Sequence, residues 1–457
     1  MTDREVTRRN FLYGSAAGTA VALMDPPGAA AATVGVKRGD LPDLTIKEVK
    51  IYVTNMDGIH RLNGTETGQL VSIVTEGGLE GVYSLGDRNP TAGWLEWAKP
   101  ALVGKSVIDL LPKITATSGL KGQPGGFGDL KLDRDAMGFW RIPRGAGNHS
   151  AFLSAALQGS ALQTRGGGTW PNYYTAAAEV CMWDIMGKAV DRPVYKILAG
   201  GETTKDRLMA YASSQHLPYI EDYTPDALKA KKLGYRGYKI HPGMGQPRSG
   251  RQIPTYIGHM EEIREVRKAV GDEYVLMHDP VQMYNRFEAV QVGRLLQDLN
   301  YLWLEDPIPE NDMEGLIELH RRVDIPLHVG EFLYSIADFA EYIRRDALTC
   351  VRPIVDNCGG LSGSLRVGLL GDAHGLECEP HNWGNEFDLL VAFQVELALP
   401  NSYWFEMPFP AEYADRPYFK YKFRPDKDGY IPAPTEPGLG YPLDRDALDR
   451  MTVRILR

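Results

Sequence analysis

The stretch that decides the fold is Tyr301-Leu302-Trp303-Leu304-Glu305-Asp306-Pro307, a short apolar run that ends in a carboxylate and a turn. The same pattern occurs at Val275-Leu276-Met277-His278-Asp279 and at Pro326-Leu327-His328-Val329-Gly330-Glu331, with 26 residues between one acid and the next. That spacing is close to one strand–helix–strand unit of ~30 residues, so parallel strands would place the three acids side by side. Three carboxylates on adjacent strand ends repel one another unless a cation lies between them. Mg²⁺ prefers oxygen ligands, so the three acids are candidate Mg²⁺ ligands.

Strands and helices alternate on both sides of these acids, from residue 205 to residue 406. Regular alternation indicates a parallel sheet with right-handed crossovers, and eight strands close into a barrel whose chemistry lies at the C-terminal strand ends. The predicted strands are 208–213, 237–241, 274–279, 301–305, 326–331, 348–352, 376–380 and 403–406. The predicted helices are 225–234, 255–270, 286–299, 311–322, 335–345, 361–374 and 386–398.

The residues before the barrel predict an α+β domain, residues 44–201. β-branched residues favour strands at 46–53 and 70–75, and the Gly-rich residues 76–81 predict a hairpin to a third strand at 82–84. Helices are expected at 90–116 and 174–188, with an irregular insertion at 118–148. The tail, residues 407–457, lacks the alternation and is expected to pack on this first domain.

The N-terminus reads as an export signal over residues 1–32. Thr7-Arg8-Arg9-Asn10-Phe11-Leu12 resembles a twin-arginine motif, a weakly apolar stretch follows it, and Ala29-Ala30-Ala31-Ala32 offers a cleavage site. The alternative is a disordered tail that is basic and then rich in small residues. Because all three regions occur in order, we expect export to the periplasm by the twin-arginine route.

The composition of the 457-residue chain narrows its class. A net charge of -9 and the lack of a basic stripe argue against nucleic-acid binding. No apolar run reaches the ~18 residues of a membrane span, so we expect no membrane association after signal removal. The four cysteines show no metal spacing and are interpreted as buried thiols, although a Cys350–Cys378 disulfide stays open. We also expect a homo-oligomer.

Other strand ends add cations and imidazoles to the acids. Lys239 and His241 are two residues apart on the second strand, so their side chains share a face. His381 follows the seventh strand, and Glu406 ends the eighth. Each residue taken alone could have a structural role instead, as a helix cap, a surface lysine or a structural histidine. Together Lys239, His241, His381 and Glu406 are the candidate catalytic residues of an anion-binding site built around a metal.

In its motifs and their order, the chain resembles the enolase superfamily, in its mandelate racemase-like branch, over about residues 46–410. The motifs are 176–188, Arg192-Pro193-Val194, 198–201, Asp279 with Tyr284, 303–307, Gly330-Glu331, Gly359-Gly360 and Pro380-His381. The resemblance implies an α/β fold, a (β/α)7β modified TIM barrel with an α+β capping domain. It also implies that Asp279, Glu305 and Glu331 bind Mg²⁺, which holds a substrate carboxylate and stabilises the enediolate formed when the α-proton leaves.

Two departures from that branch stand out. The second strand carries Lys239-Ile240-His241 where the branch often has Lys-x-Lys, so His241 occupies the position of the base. The sixth strand often supplies an Asp that orients the seventh-strand histidine, but Ile354 occupies that position here, and Asp356 lies two residues on. Residues 55–64, with His60 and Arg61, match the loop that closes over the substrate in this family.

The sequence therefore predicts a dehydratase that acts on an acid sugar, a small-molecule carboxylate. His241 or Lys239 would remove the α-proton, and His381 would assist the loss of the β-hydroxyl. A racemase or epimerase that uses His241 and His381 on opposite faces is the second hypothesis, and a cycloisomerase is the third. A hypothesis of another class is a catalytically silent, exported ligand-binding protein.

Overall fold

A computed structural model describes residues 38–56, 67–84, 91–111, 133–134, 140–141, 170–200 and 205–457. The predicted signal segment, nearly all of the 118–148 insertion and most of the 55–64 loop, with His60 and Arg61, lie outside these residues. Among the helices that are described, none combines the length and the apolar character needed to cross a membrane.

The capping domain is an antiparallel sheet with a long helix against it. β1 pairs with β2, and β2 forms the predicted hairpin with β3, since Thr75 N bonds to Leu79 O at 2.9 Å. The first helix ends at Leu102, before a turn in which Gly104 adopts a positive φ of 78°. Residues 107–111 are helical again, and residues 112–116 of the predicted helix lie outside the described residues. The elements are β1 (Ile46–Asn55), β2 (Thr67–Thr75), β3 (Glu80–Ser84), α1 (Thr91–Leu102), β4 (Asp133–Arg134), β5 (Trp140–Arg141), α2 (Trp170–Ala189) and α3 (Val194–Leu198).

The barrel lies within residues 205–457, all of which the structure describes. Its eight strands and the seven helices between them match the predicted alternation, although six strands are shorter than predicted and two, the first and the last, are longer. The strands are β6 (Arg207–Ser213), β7 (Gly237–Ile240), β8 (Val275–His278), β9 (Leu304–Glu305), β10 (Leu327–Val329), β11 (Cys350–Val351), β12 (Glu377–Cys378) and β13 (Trp404–Pro408). The helices are α4 (Tyr223–Lys232), α5 (Thr255–Val270), α6 (Arg286–Asp298), α7 (Met313–His320), α8 (Ile336–Arg344), α9 (Leu361–Ala373) and α10 (Glu386–Ala398).

All neighbouring barrel strands are parallel, in the order β12-β11-β10-β9-β8-β7-β6-β13. Between β12 and β13, the Glu379 carboxylate accepts hydrogen bonds from Tyr403 N at 2.8 Å and Trp404 N at 3.1 Å, and Cys378 N donates to Asn401 O at 2.9 Å. The predicted fold class, a (β/α)7β modified TIM barrel with an α+β capping domain, is confirmed. Cys350 and Cys378 lie on adjacent strands as free, buried thiols.

The tail contacts both parts of the molecule. Its elements are β14 (Tyr430–Pro432), α11 (Arg445–Met451) and β15 (Thr452–Leu456). β15 adds an antiparallel strand to the capping sheet beside β1, whereas β14 pairs antiparallel with β6 of the barrel. The second contact was not expected from the sequence.

Candidate active site

The three carboxylates meet because the register of the barrel strands aligns them. Asp279 comes directly after β8 and donates its backbone N–H to Ile240 O at 2.9 Å, and Glu305 ends β9. The next strand pairs His328 with Glu305, so Glu331 lies three residues beyond that level. Gly330 turns the chain there with a φ of 136°, and a Cβ at Gly330 would lie 2.5 Å from the Phe339 ring. Only glycine therefore suits this turn.

The resulting trio has the donor set of a hard-cation site. One carboxylate oxygen from each of Asp279, Glu305 and Glu331 lies within 4.8 Å of the other two, and all three side chains are buried. Two ligands that are 2.1 Å from one Mg²⁺ ion lie at most ~4.2 Å apart, so small movements would close the trio on an ion. The residues present fit the metal that the sequence predicts.

Lys239 lies beneath the trio with no exposed surface. Its ammonium group is 2.9 Å from Glu305 Oε1, 3.3 Å from Asp279 Oδ2 and 2.6 Å from Glu406 Oε1. Burial alone would lower the pKa of Lys239, but the charges of Glu305 and Glu406 outweigh it and hold the pKa well above its usual range. Lys239 is therefore a fixed cation.

Arg352, which follows β11, is a second buried cation that the sequence analysis missed. Its Nε lies 2.7 Å from Glu305 Oε1, its Nη2 lies 2.7 Å from Glu406 Oε2, and its Nη1 donates to Glu379 O at 2.9 Å. The available signal was a charged residue at the end of an apolar strand. The prediction reserved the end of the sixth strand for an acid and passed over this guanidinium group.

Glu406 is held from all sides. Besides Lys239 and Arg352, it accepts hydrogen bonds from Ser213 Oγ at 2.7 Å and from Asn382 N at 3.1 Å. Burial alone would raise the pKa of Glu406, but Lys239 and Arg352 hold it well below its usual range. Its bonds make it an anchor for the two cations, whereas the sequence analysis placed it among the candidate catalytic residues.

The charges at this strand end do not balance without a further cation. Four carboxylates, those of the trio and Glu406, meet two fixed cations, which leaves two negative charges. Burial raises the pKa of Glu305 to about 7, although Arg352 and Lys239 both oppose the shift. A divalent ion beside the trio would neutralise the excess.

His241 lies at the rim, on the Asp279 side. Its Nδ1 is 2.7 Å from Ser214 O, and its Nε2 is 2.7 Å from Asp279 Oδ2. A carbonyl oxygen can only accept, so Nδ1 carries a hydrogen and Nε2 is the nitrogen that faces the trio. Burial lowers the pKa of His241, but the Asp279 charge outweighs it and raises the pKa above its usual value.

His381 lies at the rim on the other side, with its Nε2 2.9 Å from Glu331 Oε2. Burial lowers its pKa, and the Glu331 charge more than reverses that effect. Asp356, the candidate substitute for the missing sixth-strand Asp, accepts a hydrogen bond from Tyr83 OH of the capping domain at 2.8 Å. Ile354 itself carries no group that could orient an imidazole.

The sequence analysis also missed the roles of two further acids, Asp306 and Glu310, which bond to the backbone next to Glu331. Asp306 Oδ1 accepts from Gly330 N at 3.4 Å, and Glu310 Oε1 accepts from Phe332 N at 3.3 Å. Burial and the neighbouring carboxylates raise the pKa of Asp306 well above its usual range and that of Glu310 to about 8. Asp306 belongs to the motif at residues 303–307, but its burial results from packing of the barrel and could not be predicted from the sequence.

Comparison with known proteins agrees with this geometry. Residues 223–447 match the family described as "Enolase C-terminal domain-like". The chain is 27% identical to arabinonate dehydratase of Saccharolobus solfataricus over 271 residues, which are 58% of this chain and 68% of that protein. It is 28% identical to L-talarate/galactarate dehydratase of Salmonella typhimurium over 231 residues, which are 50% of this chain and 54% of that protein.

A solved structure extends the likeness to the whole described fold. D-glucarate dehydratase from Agrobacterium tumefaciens, complexed with magnesium, superposes with a TM-score of 0.69 at 25% identity, covering 90% of this chain and 100% of that chain. The likeness therefore includes the capping domain as well as the barrel, and the predicted resemblance is confirmed. Together, the match of residues 223–447 and this superposition show that the chain is similar to the enolase superfamily.

Proposed function

We propose that this protein is a Mg²⁺-dependent acid-sugar dehydratase. The observation that carries the proposal is the buried trio Asp279, Glu305 and Glu331 with an imidazole on each side, His241 and His381. The dehydratases among its relatives support the reaction class. Mg²⁺, when bound by the trio, would supply positive charge that offsets the charge developing on the substrate carboxylate. The α-proton beside a carboxylate is otherwise too weakly acidic to be removed at neutral pH.

His241 is the group proposed to take the α-proton. Its Nδ1–H is fixed on Ser214 O, so Nε2 is the atom that can hold the transferred proton. Lys239 is a poor candidate, because three carboxylates surround its ammonium group and keep it charged. Lys239 instead adds a fixed positive charge close to the acids.

His381 is the group proposed to give a proton to the leaving β-hydroxyl. Its Nε2 lies 2.9 Å from Glu331 Oε2, and the Glu331 charge raises the pKa of His381, which favours the protonated form that an acid needs. As the Cα–H and Cβ–O bonds break, a Cα–Cβ double bond forms and one water leaves. The enol product then becomes a 2-keto-3-deoxy acid.

The test is ¹H NMR of the purified protein in D₂O with Mg²⁺ and a panel of acid sugars. We expect loss of the α-proton signal together with the signals of a 2-keto-3-deoxy product. Exchange of the α-proton for deuterium without water loss would replace this proposal with the racemase or epimerase hypothesis. Tight binding of an acid sugar with neither change would favour the silent ligand-binding protein.

We also propose that the protein acts in the periplasm. The proposal is supported by the order of the twin-arginine motif, the weakly apolar stretch and the small-residue site within residues 1–32. Changing both Arg8 and Arg9 to Lys should retain the protein in the cytoplasm when bacterial cells are fractionated. Unchanged periplasmic recovery of that double variant would contradict the proposal.

A further inference from the structure

The segment that follows β11 is fixed by the capping domain at three points. Tyr83 OH donates to Asp356 Oδ1 at 2.8 Å, and Tyr173 OH donates to Asn357 Oδ1 at 2.6 Å. The third point is Glu179 of α2, whose carboxylate accepts from Leu361 N at 2.8 Å and Ser362 N at 3.0 Å. These bonds cap the first turn of α9 with a carboxylate from the other domain.

Gly360 makes the third contact possible. A Cβ at Gly360 would lie 2.1 Å from Glu179 Oε2, and its φ is 118°. Glu179 has no exposed surface, and Trp183 Nε1 also donates to it at 2.8 Å. The capping domain therefore approaches this segment closely enough to set its position.

One of the three contacts continues into the candidate metal centre. The same Asn357 amide that accepts from Tyr173 donates through Nδ2 to Glu331 O at 2.8 Å. Asn357 is 2% exposed, so water does not compete well for either bond. Within the part of the chain that the structure describes, Glu331 pairs with His381 and with no fully buried Lys or Arg, unlike Glu305. The Asn357 bond is a direct contact to the Glu331 backbone.

We propose that Asn357 is a positioning residue that couples docking of the capping domain to the metal-binding position of Glu331. The inference rests on the proposed metal site. Ile354 occupies the position where the branch often has an acid on the sixth strand. The segment after this strand instead connects Tyr173 of the cap, through Asn357, to Glu331 after the fifth strand. Shifts of the cap at Tyr173 are thereby transmitted to Glu331.

The test measures Mn²⁺ affinity of the full-length protein by the EPR signal of the free ion. Asn357→Leu removes both bonds, and loss of such an outer contact lowers metal affinity by about 10- to 100-fold. Tyr173→Phe removes only the bond to the cap, and we expect a loss of about fivefold. Tyr52→Phe is the matched control, because it loses one hydrogen bond, to Glu80, inside the capping domain. Thermal unfolding of each metal-free variant checks that it is folded.

The outcomes separate this inference from the proposed function. If the unaltered protein binds no Mn²⁺, the metal site itself is wrong and both proposals fail. If the unaltered protein binds Mn²⁺ and folded Asn357→Leu binds it equally well, the positioning role alone is overturned. If Asn357→Leu does not fold, Tyr173→Phe decides: weaker binding than Tyr52→Phe supports the coupling, and equal binding overturns it.

Discussion

The floor of the candidate active site, Lys239 and Arg352, and its rim, His241 and His381, contact neighbouring carboxylates with different chemistry. On the floor, Lys239 and Arg352 have no exposed surface and stay charged at any ordinary pH. On the rim, His241 and His381 keep 8% and 17% of their side chains exposed, and imidazoles exchange protons near neutral pH. The floor therefore sets a fixed field, and the rim is where protons can move.

The difference explains how one cluster of acids can serve both structure and chemistry. Glu305 and Glu406 are bound to the floor cations, and removing a partner would leave a buried charge uncompensated. Asp279 and Glu331 each also face an imidazole. Changes on the floor should thus appear mainly in stability, and changes on the rim mainly in turnover.

The largest effect is expected from Glu331→Gln, at the carboxylate that faces only the rim. Loss of one trio ligand should lower Mn²⁺ affinity and reduce turnover by ~10³-fold or more, because the charge supplied by the metal contributes several kcal/mol. Metal titration and product formation are the measurements, and circular dichroism checks folding. Glu318→Gln, an exposed acid, is the control. Wild-type metal affinity in Glu331→Gln would contradict the metal assignment.

The two rim imidazoles should separate by reaction step. His241→Asn is expected to lose α-deuterium exchange and dehydration together, with kcat lower by ~10²–10⁴-fold. His381→Asn should lose dehydration to a similar extent but retain α-exchange, because its proton goes to the leaving hydroxyl. NMR in D₂O measures both steps in one experiment. Retained exchange in His241→Asn would show that the base lies elsewhere.

On the floor, Arg352→Leu should act on stability. It leaves Glu305 and Glu406 with one cation between them, so the free energy of unfolding should fall by ~3–5 kcal/mol in urea titrations with EDTA present. The control is Arg344→Leu, which breaks an exposed pair with Glu341 and should change the stability little, because water and salt screen such pairs. Equal stability of the two variants would remove the distinction between floor and rim.

The sequence predicted what strand order and spacing determine. Asp279, Glu305 and Glu331 follow equally spaced strands, and parallel strands bring their C-terminal ends together, so their meeting required no knowledge of side-chain packing. Lys239, His241, His381 and Glu406 were found by the same rule. Their individual roles did not follow from it, since the bonds to Ser214, Asn382 and Arg352 that define those roles depend on the folded barrel.

The features that the sequence did not predict are contacts between distant parts of the chain. Asp356 bonds to Tyr83, which lies 273 residues away on the capping sheet, and no local pattern encodes that pairing. Arg352 was missed for a different reason: an expected Asp was sought at the sixth strand, and a cation there serves the same charge balance. Contacts of β14 with β6 likewise depend on the tertiary course of the tail.

A buried histidine outside the candidate active site, His259 of α5, differs from the two on the rim. His259 lies behind the sheet, 2.9 Å from both Tyr284 OH and Gly243 O, and burial lowers its pKa to about 4. Its folded pKa lies below the ~6.5 of the unfolded chain, so as the pH falls below 6.5 the unfolded chain takes up the proton first. Its contribution is fully present above pH 6.5, and about 2 kcal/mol is lost by pH 5.

Urea unfolding of the metal-free protein at pH 7.5 and pH 5 measures this contribution. His259→Gln should lose less stability between the two pH values than the unaltered protein, whereas His374→Gln, at an exposed position, should lose the same amount. Burial also lowers the pKa of His278 and His328, so part of the acid sensitivity should persist in His259→Gln. If the free energy of unfolding of His259→Gln depends on pH as in the unaltered protein, burial of His259 does not cause the expected loss of stability in acid.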